Sequence, residues 1–347
     1  MSPDSGDLQT VHLARLRDAL RSAAVAPFVG GDLPEAVTGV PSRAELARWM
    51  AEQRGLPTGL SLAQVTRRLS TQGSRFDFTA LLRQRLDTAD KAPQRFHRLL
   101  AGLIAAYRLR TVVLTAYDTL LEAALREAGV GFNRVVTTAD VGFLRPDRPT
   151  LVYLYGLAER PETLVVTEDD HYALHRDRDK EGVLDEVRQA FSRNLVLFLG
   201  YDLADPDFRL LWHDTLGRMG RMAVGALATA PDLPAEEARL WAERQVTVLD
   251  LEPTALLALL AEAPAARDHR PAAAEPGDAG QDETASEAER LRLRRQLDVQ
   301  RRKLALLEEQ RSYYTAATAP VTLLLEIQDT QREIERLEEE LDRLDLP

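Results

Sequence analysis

The sequence predicts an α/β protein built on a doubly wound, mostly parallel sheet with helices on both faces. Two observations lead to this fold class. From about residue 8 to residue 263, short runs of β-branched and apolar residues alternate with helical patterns. Most of these runs are continuously apolar, which is typical of strands that are covered on both faces. A parallel sheet with helices on both faces is built by repeating one unit, in which a helix crosses over from one strand to the next parallel strand.

The elements follow one another in a regular order. Eight runs are predicted as strands: residues 25–31, 111–117, 134–138, 150–156, 163–167, 195–201, 222–229 and 245–251. The predicted helices include residues 43–53, 94–107, 118–129 and 205–219. Residues 1–263 are therefore assigned to one domain. Residues 264–286, rich in alanine, proline, glycine and acidic residues, have little to bury and are predicted to be a flexible linker.

The last part of the chain, residues 287–347, is predicted to be helical. Apolar residues repeat there with heptad spacing: Leu297, Leu304 and Leu307 in a first helix, and Ile327, Ile334, Leu337, Leu341 and Leu344 in a second. This pattern predicts a helical hairpin or a short coiled coil. Helices 287–344 are thus expected to contact a protein partner or a second copy of the chain. The alternative is a charged helix that packs on its own domain.

The amino-acid composition excludes several kinds of partner and of chemistry. The 347 residues carry a formal charge of −11, which disfavours nucleic acid and anionic membranes as partners. The absence of cysteine excludes disulfides, cysteine-ligated zinc and a thiol nucleophile. No run of about 18 apolar residues occurs, so no membrane span is expected. The acidic and then amphipathic start differs from a signal peptide, and a cytoplasmic location is expected.

Polar residues that follow the strands are the candidates for function, because a parallel sheet binds ligands at the carboxyl ends of its strands. The first junction reads FVGGDLPEAVTGVPSRAELARWM. Gly30 and Gly31 would let backbone N–H groups approach a pyrophosphate, or would simply form a tight turn. The other junctions read VVLTAYDTLLEAAL, VYLYGLAERPETLVVTEDDHYAL and LVLFLGYDLADPDFRLL.

In this order and spacing, the four segments resemble the sirtuin-like superfamily, and more closely the bacterial silent-information-regulator-two-like domains of anti-phage defence proteins. The resemblance covers about residues 8–262. It implies a Rossmann-like fold that binds NAD or an ADP-ribose derivative, and many members hydrolyse NAD to nicotinamide and ADP-ribose. Members that deacylate proteins add a cysteine zinc ribbon, which this chain cannot build. Deacetylation is therefore not expected.

The resemblance also exposes substitutions at the family's catalytic positions. The family's asparagine, in Thr-Asn-Tyr-Asp, is replaced by Ala116, whose methyl group forms no hydrogen bond. The family's general base, in Leu-His-Gly, is replaced by Tyr155, and a tyrosine of ordinary pKa is a poor base at neutral pH. The glycine loop carries Asp32, whose carboxylate would repel a phosphate unless it is turned away or paired. No residue is assigned as catalytic, and Asp118 is the one candidate that remains in this segment.

The resemblance implies a set of residues around a bound nucleotide. The set is Gly30, Gly31, Arg43, Thr115, Asp118, Gly200, Tyr201 and Asp205. Structural alternatives remain open for several of them. Asp118 is well placed as an N-cap, and Asp205-Pro206 forms a good helix start. Arg43 either neutralises a phosphate or caps and solvates its helix.

Two other groups of residues are weighed and set aside. Asp169, Asp170, His171 and His175 could be written as a metal site, but the flanking sequence is a solvated charged stretch, and no metal is expected. His97 lies in an apolar helix pattern and is predicted to be a buried histidine with satisfied hydrogen bonds.

Three functions are consistent with these observations. The first is a sirtuin-like domain that has lost turnover and keeps the fold to sense a nucleotide or to act as a scaffold. The second is an active NAD hydrolase in which other residues replace the missing asparagine and histidine, with Asp118 and Asp202 as the nearby acids. The third is an adaptor with an empty pocket that assembles partners through its C-terminal helices. The non-catalytic functions are favoured, because loss of general acid–base groups costs orders of magnitude in rate.

Overall fold

The structure is a computed structural model of the 347-residue chain. It describes residues 5–203, 208–209, 212–213 and 224–262, and further along the chain residues 297, 304, 327, 331–332, 334–336, 338 and 341. The chain divides into two compact units, Met1–Arg267 and Asp268–Pro347. The sheet and the candidate site both belong to the first unit.

The first unit is built on a sheet of seven described strands. Their bounds are β1 Val25–Val29, β2 Thr111–Leu114, β3 Asn133–Val135, β4 Thr150–Tyr153, β5 Leu195–Leu199, β6 Ala226–Thr229 and β7 Val246–Leu249. Their order across the sheet is β3-β4-β2-β1-β5-β6-β7, and every neighbouring pair is parallel. The predicted fold class is therefore confirmed, and the described part of the sheet is parallel throughout.

Helices lie along both faces of this sheet. The described α-helices are α1 Ser5–Arg21, α2 Glu35–Thr38, α3 Arg43–Gln53, α4 Leu62–Gln72, α5 Arg75–Arg85, α6 Arg95–Tyr107, α7 Leu120–Glu127, α8 Glu168–Ala173, α9 Arg178–Arg193, α10 Ala235–Glu243 and α11 Pro253–Glu262. Side chains of β1 alternate between two hydrophobic cores. Phe28 packs with residues of α3, α4, α5 and α9 on one face, and Val25 and Val29 pack with residues of α1, α6, α7 and α11 on the other. Burial on both faces is what made the strand sequences continuously apolar.

The topology places a crevice at the carboxyl end of β1. The chain leaves β1 for β2 on one side, and it later returns to place β5 on the other. Ligand sites of open parallel sheets form where the connections diverge in this way. The residues that follow β1, β2 and β5 therefore surround the position where sheets of this kind hold ligands.

The prediction of a strand at residues 163–167 is wrong. A short 3₁₀ helix, Pro161–Thr163, is followed by an irregular buried segment. Side chains satisfy its carbonyl groups in place of a neighbouring strand: the Tyr117 hydroxyl donates to the carbonyl of Val165 at 3.0 Å, and the Thr66 hydroxyl donates to that of Val166 at 3.1 Å. The N–H of Val165 donates to the carbonyl of Tyr155. The apolar run at residues 163–167 therefore indicated a buried segment and not a strand, because hydrophobic periodicity alone does not distinguish buried strands from other buried segments.

Helix boundaries follow the capping residues. The helix predicted at residues 43–53 has these same bounds, because Ser42 and Glu45 form a capping box in which each accepts the other's backbone N–H. The helix predicted at 94–107 is α6. The one predicted at 118–129 is α7, which begins two residues later than expected. Most of the helix predicted at 205–219 lies outside the described residues.

In the second unit, the described residues are helical and include five of the predicted heptad positions. Leu297 and Ile334 pack together with Leu304 and Leu341, and Ile327 packs against Leu304. The hairpin or coiled coil stays a prediction, and the linker at 264–286 lies outside the described residues. None of the helices among the residues described here combines the length and apolar character that crossing a membrane requires.

Candidate functional site

The glycine turn after β1 is shaped by close contact with the end of β5. The N–H of Gly30 donates to the carbonyl of Leu199 at 2.8 Å. A Cβ on Gly30 would lie 2.2 Å from the carbonyl oxygen of Gly200, closer than any side chain can approach. Gly30 therefore has a structural reason to be glycine, independent of a ligand.

Asp32 and Arg43 form an ion pair across this turn. The Nε of Arg43 lies 2.9 Å from one carboxylate oxygen of Asp32, and the N–H of Asp202 donates to the other at 3.1 Å. The two side chains are only 10% and 15% exposed. Arg43 is thus buried against an acid and does not solvate its helix, whose N-cap is Ser42. Asp32 is therefore paired, which is one of the two conditions under which its carboxylate was expected to be tolerated in the glycine loop.

Leu33 covers the end of β5. Gly200 has a φ of +73°, and a Cβ there would lie 2.5 Å from Cγ of the buried Leu33. The space left beside the glycine turn is a cavity of about 20 Å³, which Gly31, Arg43 and Ala116 help to line. This volume is enough for about one water molecule. The chain's own side chains thus fill most of the position where the sequence predicted a phosphate.

Two predicted ligand contacts, Thr115 and Tyr201, hydrogen-bond to each other. Their hydroxyls lie 2.8 Å apart and both side chains are buried. Burial raises the pKa of Tyr201 well above its ordinary value of 10, so its hydroxyl stays protonated. The N–H of Thr115 donates to the carbonyl of Val29 and continues the ladder between β1 and β2. This pair ties the ends of β2 and β5 together beneath the turn.

Asp118 adjoins the small cavity. One carboxylate oxygen accepts the N–H of Leu120 at 2.9 Å, while the N-cap position of α7 belongs to Thr119. Asp118 therefore accepts a backbone N–H from the first turn of α7, as a capping residue does, but it lies one residue before the N-cap.

His97 is buried, as predicted, and its Nδ1 accepts the N–H of Gln94. Burial lowers the pKa of His97, and the nearby charge of Asp118 opposes this shift.

Tyr155 points into the core. Its side chain is 2% exposed and packs edge-on against the buried ring of His171, with ring centroids 4.8 Å apart. It does not line the described cavities beside Asp118. A group in this setting is poorly placed to take a proton from a ligand in the crevice.

The acidic residues of α8 have structural partners. Asp170 accepts the N–H groups of Val166 and Thr167 and is paired with Arg75. His171 packs on Tyr155, as described above. Within the part of the chain that the structure describes, no group of three or more His, Asp or Glu side chains is placed to hold a metal ion.

A larger cleft opens on the other side of Asp118. Its volume is about 660 Å³, within the range of small-molecule sites. Tyr117, Asp118 and Leu86 line both this cleft and the small cavity. Charged side chains on its walls are Arg83, Asp87, Lys91, Arg126 and Glu159. Sequence reasoning missed Arg83, Asp87 and Lys91 because α5 and the loop after it carry no motif and reach the site only through the tertiary fold. Arg126 and Glu159 lie in α7 and in the segment after β4, where no pattern distinguished them from other exposed charges.

A buried carboxylate behind the cleft was also missed. Glu122 is completely buried and forms ion pairs with Arg126, at 2.7 Å, and with Arg134. The hydroxyl of Tyr153 donates to its second oxygen at 3.0 Å, and burial raises the pKa of this tyrosine well above 10. A signal existed in the sequence: Glu122 lies in the apolar stripe of LLEAAL, and a charge in such a stripe indicates a buried partner.

Buried charge also occurs near β3, at Lys180. Its ammonium donates to the carbonyl of Val136 at 3.1 Å. Burial lowers the pKa of Lys180 to about 8, although the nearby charge of Asp177 acts in the opposite direction and raises this pKa.

Asp205, the remaining predicted contact, lies outside the described residues.

A parallel doubly wound sheet with a glycine turn at the divergence of its connections is an α/β architecture that many nucleotide-binding domains share. Within this class, residues 110–249 match the model of the SIR2-like domain family. The chain therefore carries a SIR2-like domain over these residues, and the resemblance inferred from the sequence is confirmed for this region.

The chain is also similar to individual proteins. Over 116 residues the chain is 28% identical to the NAD(+) hydrolase ThsA of Cytobacillus dafuensis. The alignment covers 33% of this chain and 22% of that protein's length, so the two share one region and not their whole architecture. A solved structure of a Sir2 homolog–NAD complex is 12% identical, covering 72% of this chain and 92% of that chain, with a TM-score of 0.45. A structure of a Sir2 enzyme is 11% identical, with coverages of 72% and 95% and a TM-score of 0.42.

Proposed function

We propose that this chain is a SIR2-like domain protein that binds NAD or an ADP-ribose derivative without hydrolysing NAD at an enzymatic rate. The observation that carries the proposal is the setting of the two substituted positions. Ala116 presents a methyl group to the cavity, and the side chain of Tyr155 is buried against His171. Neither supplies a hydrogen-bonding group or a base to a ligand beside Asp118.

Binding is supported by where the cavities lie. The small cavity and the 660 Å³ cleft share lining residues at the carboxyl end of β2, next to the glycine turn. This is the position where domains of this class hold nucleotides. The region shared with a protein named as an NAD(+) hydrolase makes NAD and its products the first ligands to test.

The biological role follows from binding without turnover. Such a domain senses the concentration of its nucleotide ligand or serves as a scaffold. Its C-terminal helices would then transmit the ligand-bound or ligand-free state to a partner. We place the partner contact, with another protein or with a second copy of the chain, in residues 287–344. The resemblance to anti-phage defence proteins makes that setting the one to examine first. We expect a cytoplasmic protein that requires no metal and does not bind nucleic acid.

One observation favours an active NAD hydrolase as a second candidate. Asp118 lines both cavities, and its charge acts on His97. This pair of titratable groups is the part of the described site that could take over proton transfer. An adaptor with an empty pocket is a third candidate, which the filled space around the glycine turn favours.

Binding is tested by titrating the full chain with ADP-ribose in a calorimeter. We expect saturable heat with one site per chain. Ala116→Leu should weaken binding at least about tenfold, because the added atoms fill a cavity that holds about one water. Ala105→Leu, an exposed position on α6, is the matched control and should bind like the wild type. Titrations without heat for either protein would favour the adaptor.

A further inference from the structure

Asp32 joins three segments at the carboxyl end of the sheet. Its own N–H donates to the carbonyl of Gly200 at 3.1 Å, which fixes its backbone to the end of β5. Its carboxylate then accepts from the guanidinium of Arg43, at the start of α3, and from the N–H of Asp202. The carboxylate is thus held between the start of α3 and the residues that follow β5, beside the glycine turn.

The donors around this carboxylate are those that bind phosphate oxygens in proteins. A guanidinium and a backbone N–H beside a glycine turn both favour an anion. The side chains of Arg43 and Asp32 are 10% and 15% exposed, so solvent screens their interaction only partly. A second anion placed beside Arg43 would have to be accommodated next to the charge of Asp32, or would have to displace it.

We propose that Asp32 is an internal anion that occupies the phosphate-binding position of the glycine turn and competes with the pyrophosphate of a nucleotide ligand. This inference rests on the proposed nucleotide-binding function and adds the residue that sets its affinity. The ligand enters by taking over Arg43 and the N–H of Asp202 from the carboxylate. Competition of this kind weakens binding, and the domain therefore responds to high and not to trace concentrations of ligand.

Leu33 strengthens the argument that this position is closed by the chain itself. The residue follows Asp32 directly, and its side chain covers Gly200, the other glycine of the crevice. A shift of the turn that carries Asp32 away from Arg43 would also move Leu33, because the two residues are adjacent in one turn.

The test uses Asp32→Asn, which keeps the shape of the side chain and removes its charge. The full-length variant and the wild type are titrated with ADP-ribose, with inorganic pyrophosphate and with adenosine. We expect at least about tenfold tighter binding of both pyrophosphate-containing probes to Asp32→Asn, and no change for adenosine. Adding Arg43→Gln to the variant should remove the gain. Asp90→Asn, an exposed position with the same change in net charge, is the control and should bind like the wild type.

The outcomes separate this inference from the proposed function. A folded Asp32→Asn that binds pyrophosphate and ADP-ribose no more tightly than the wild type overturns the role of Asp32, even if both proteins bind ADP-ribose. A gain for pyrophosphate, with no ADP-ribose binding by either protein, upholds the role of Asp32 and rejects the nucleotide ligand. Asp32→Ser should also bind both pyrophosphate-containing probes more tightly than the wild type. It replaces Asp32→Asn in the test if that variant does not fold.

Discussion

Gly156→Ala is expected to lower the free energy of unfolding by about 4 kcal/mol, the sum of a strained backbone and a severe overlap. Gly156 has a φ of +79°, which side chains other than glycine rarely adopt. A Cβ there would lie 2.3 Å from the carbonyl oxygen of Thr163 and 2.6 Å from its carbonyl carbon. These are backbone atoms of a loop that is closed by hydrogen bonds between Leu157, Arg160 and Thr163, so they cannot move aside cheaply. Urea denaturation followed by circular dichroism measures the loss.

Gly129→Ala is the matched control for this substitution. Gly129 also has a positive φ, of +69°, but no atom lies within 4 Å of the Cβ position. Its loss should therefore be about 1 kcal/mol, the cost of the backbone conformation alone. Equal losses for the two variants would show that the loop from Tyr155 to Thr163 does not pack as described.

Glu122→Gln is expected to cost about 2 kcal/mol of stability, because it replaces a buried carboxylate that accepts charged hydrogen bonds from Arg126 and Arg134 with a neutral amide. Glu122 is 0% exposed, and its carboxylate is bonded by Arg126, Arg134 and Tyr153. Thermal unfolding of the full chain gives the difference. Arg126 also lines the cleft, so weaker ligand binding should accompany the loss of stability.

Glu127→Gln, in the same helix, is the control for Glu122→Gln. Its carboxylate pairs with Arg98 at 2.9 Å, but both side chains are about half exposed. Exposed pairs contribute little, so the change should stay below about 1 kcal/mol. If the two variants unfolded at the same temperature, the buried network around Glu122 would not contribute as the structure indicates.

Most of the fold could be predicted from the sequence, because burial on both faces of a parallel sheet leaves a strong pattern. Seven of the eight apolar runs coincide with strands. The run at residues 163–167 failed for a physical reason: its backbone bonds to side chains that are distant in sequence, such as those of Thr66 and Tyr117. Local pattern carries no information about such partners.

The strand ends that border the candidate site could be predicted from the sequence, but the contacts of their side chains could not. The glycine turn and the four strand ends were located correctly, since their position follows from topology. What the side chains do there was not predictable, because Thr115 and Tyr201 pair with each other and Arg43 pairs with Asp32 only in the folded chain. The larger cleft depends on α5 and the loop that follows it, which no motif connected with the strand ends.

The central claim is that the site binds its nucleotide without cleaving it, and nicotinamide release from NAD tests this most directly. Purified wild-type protein and Asp118→Ala are incubated with NAD, and nicotinamide is followed by chromatography over many hours. Asp118→Ala removes the remaining acid that borders both cavities. We predict that both proteins release nicotinamide at the same rate, equal to that of NAD in buffer alone. Release by the wild type that exceeds that of Asp118→Ala by a hundredfold or so, the typical contribution of a general acid or base, would contradict the account and establish an active NAD hydrolase.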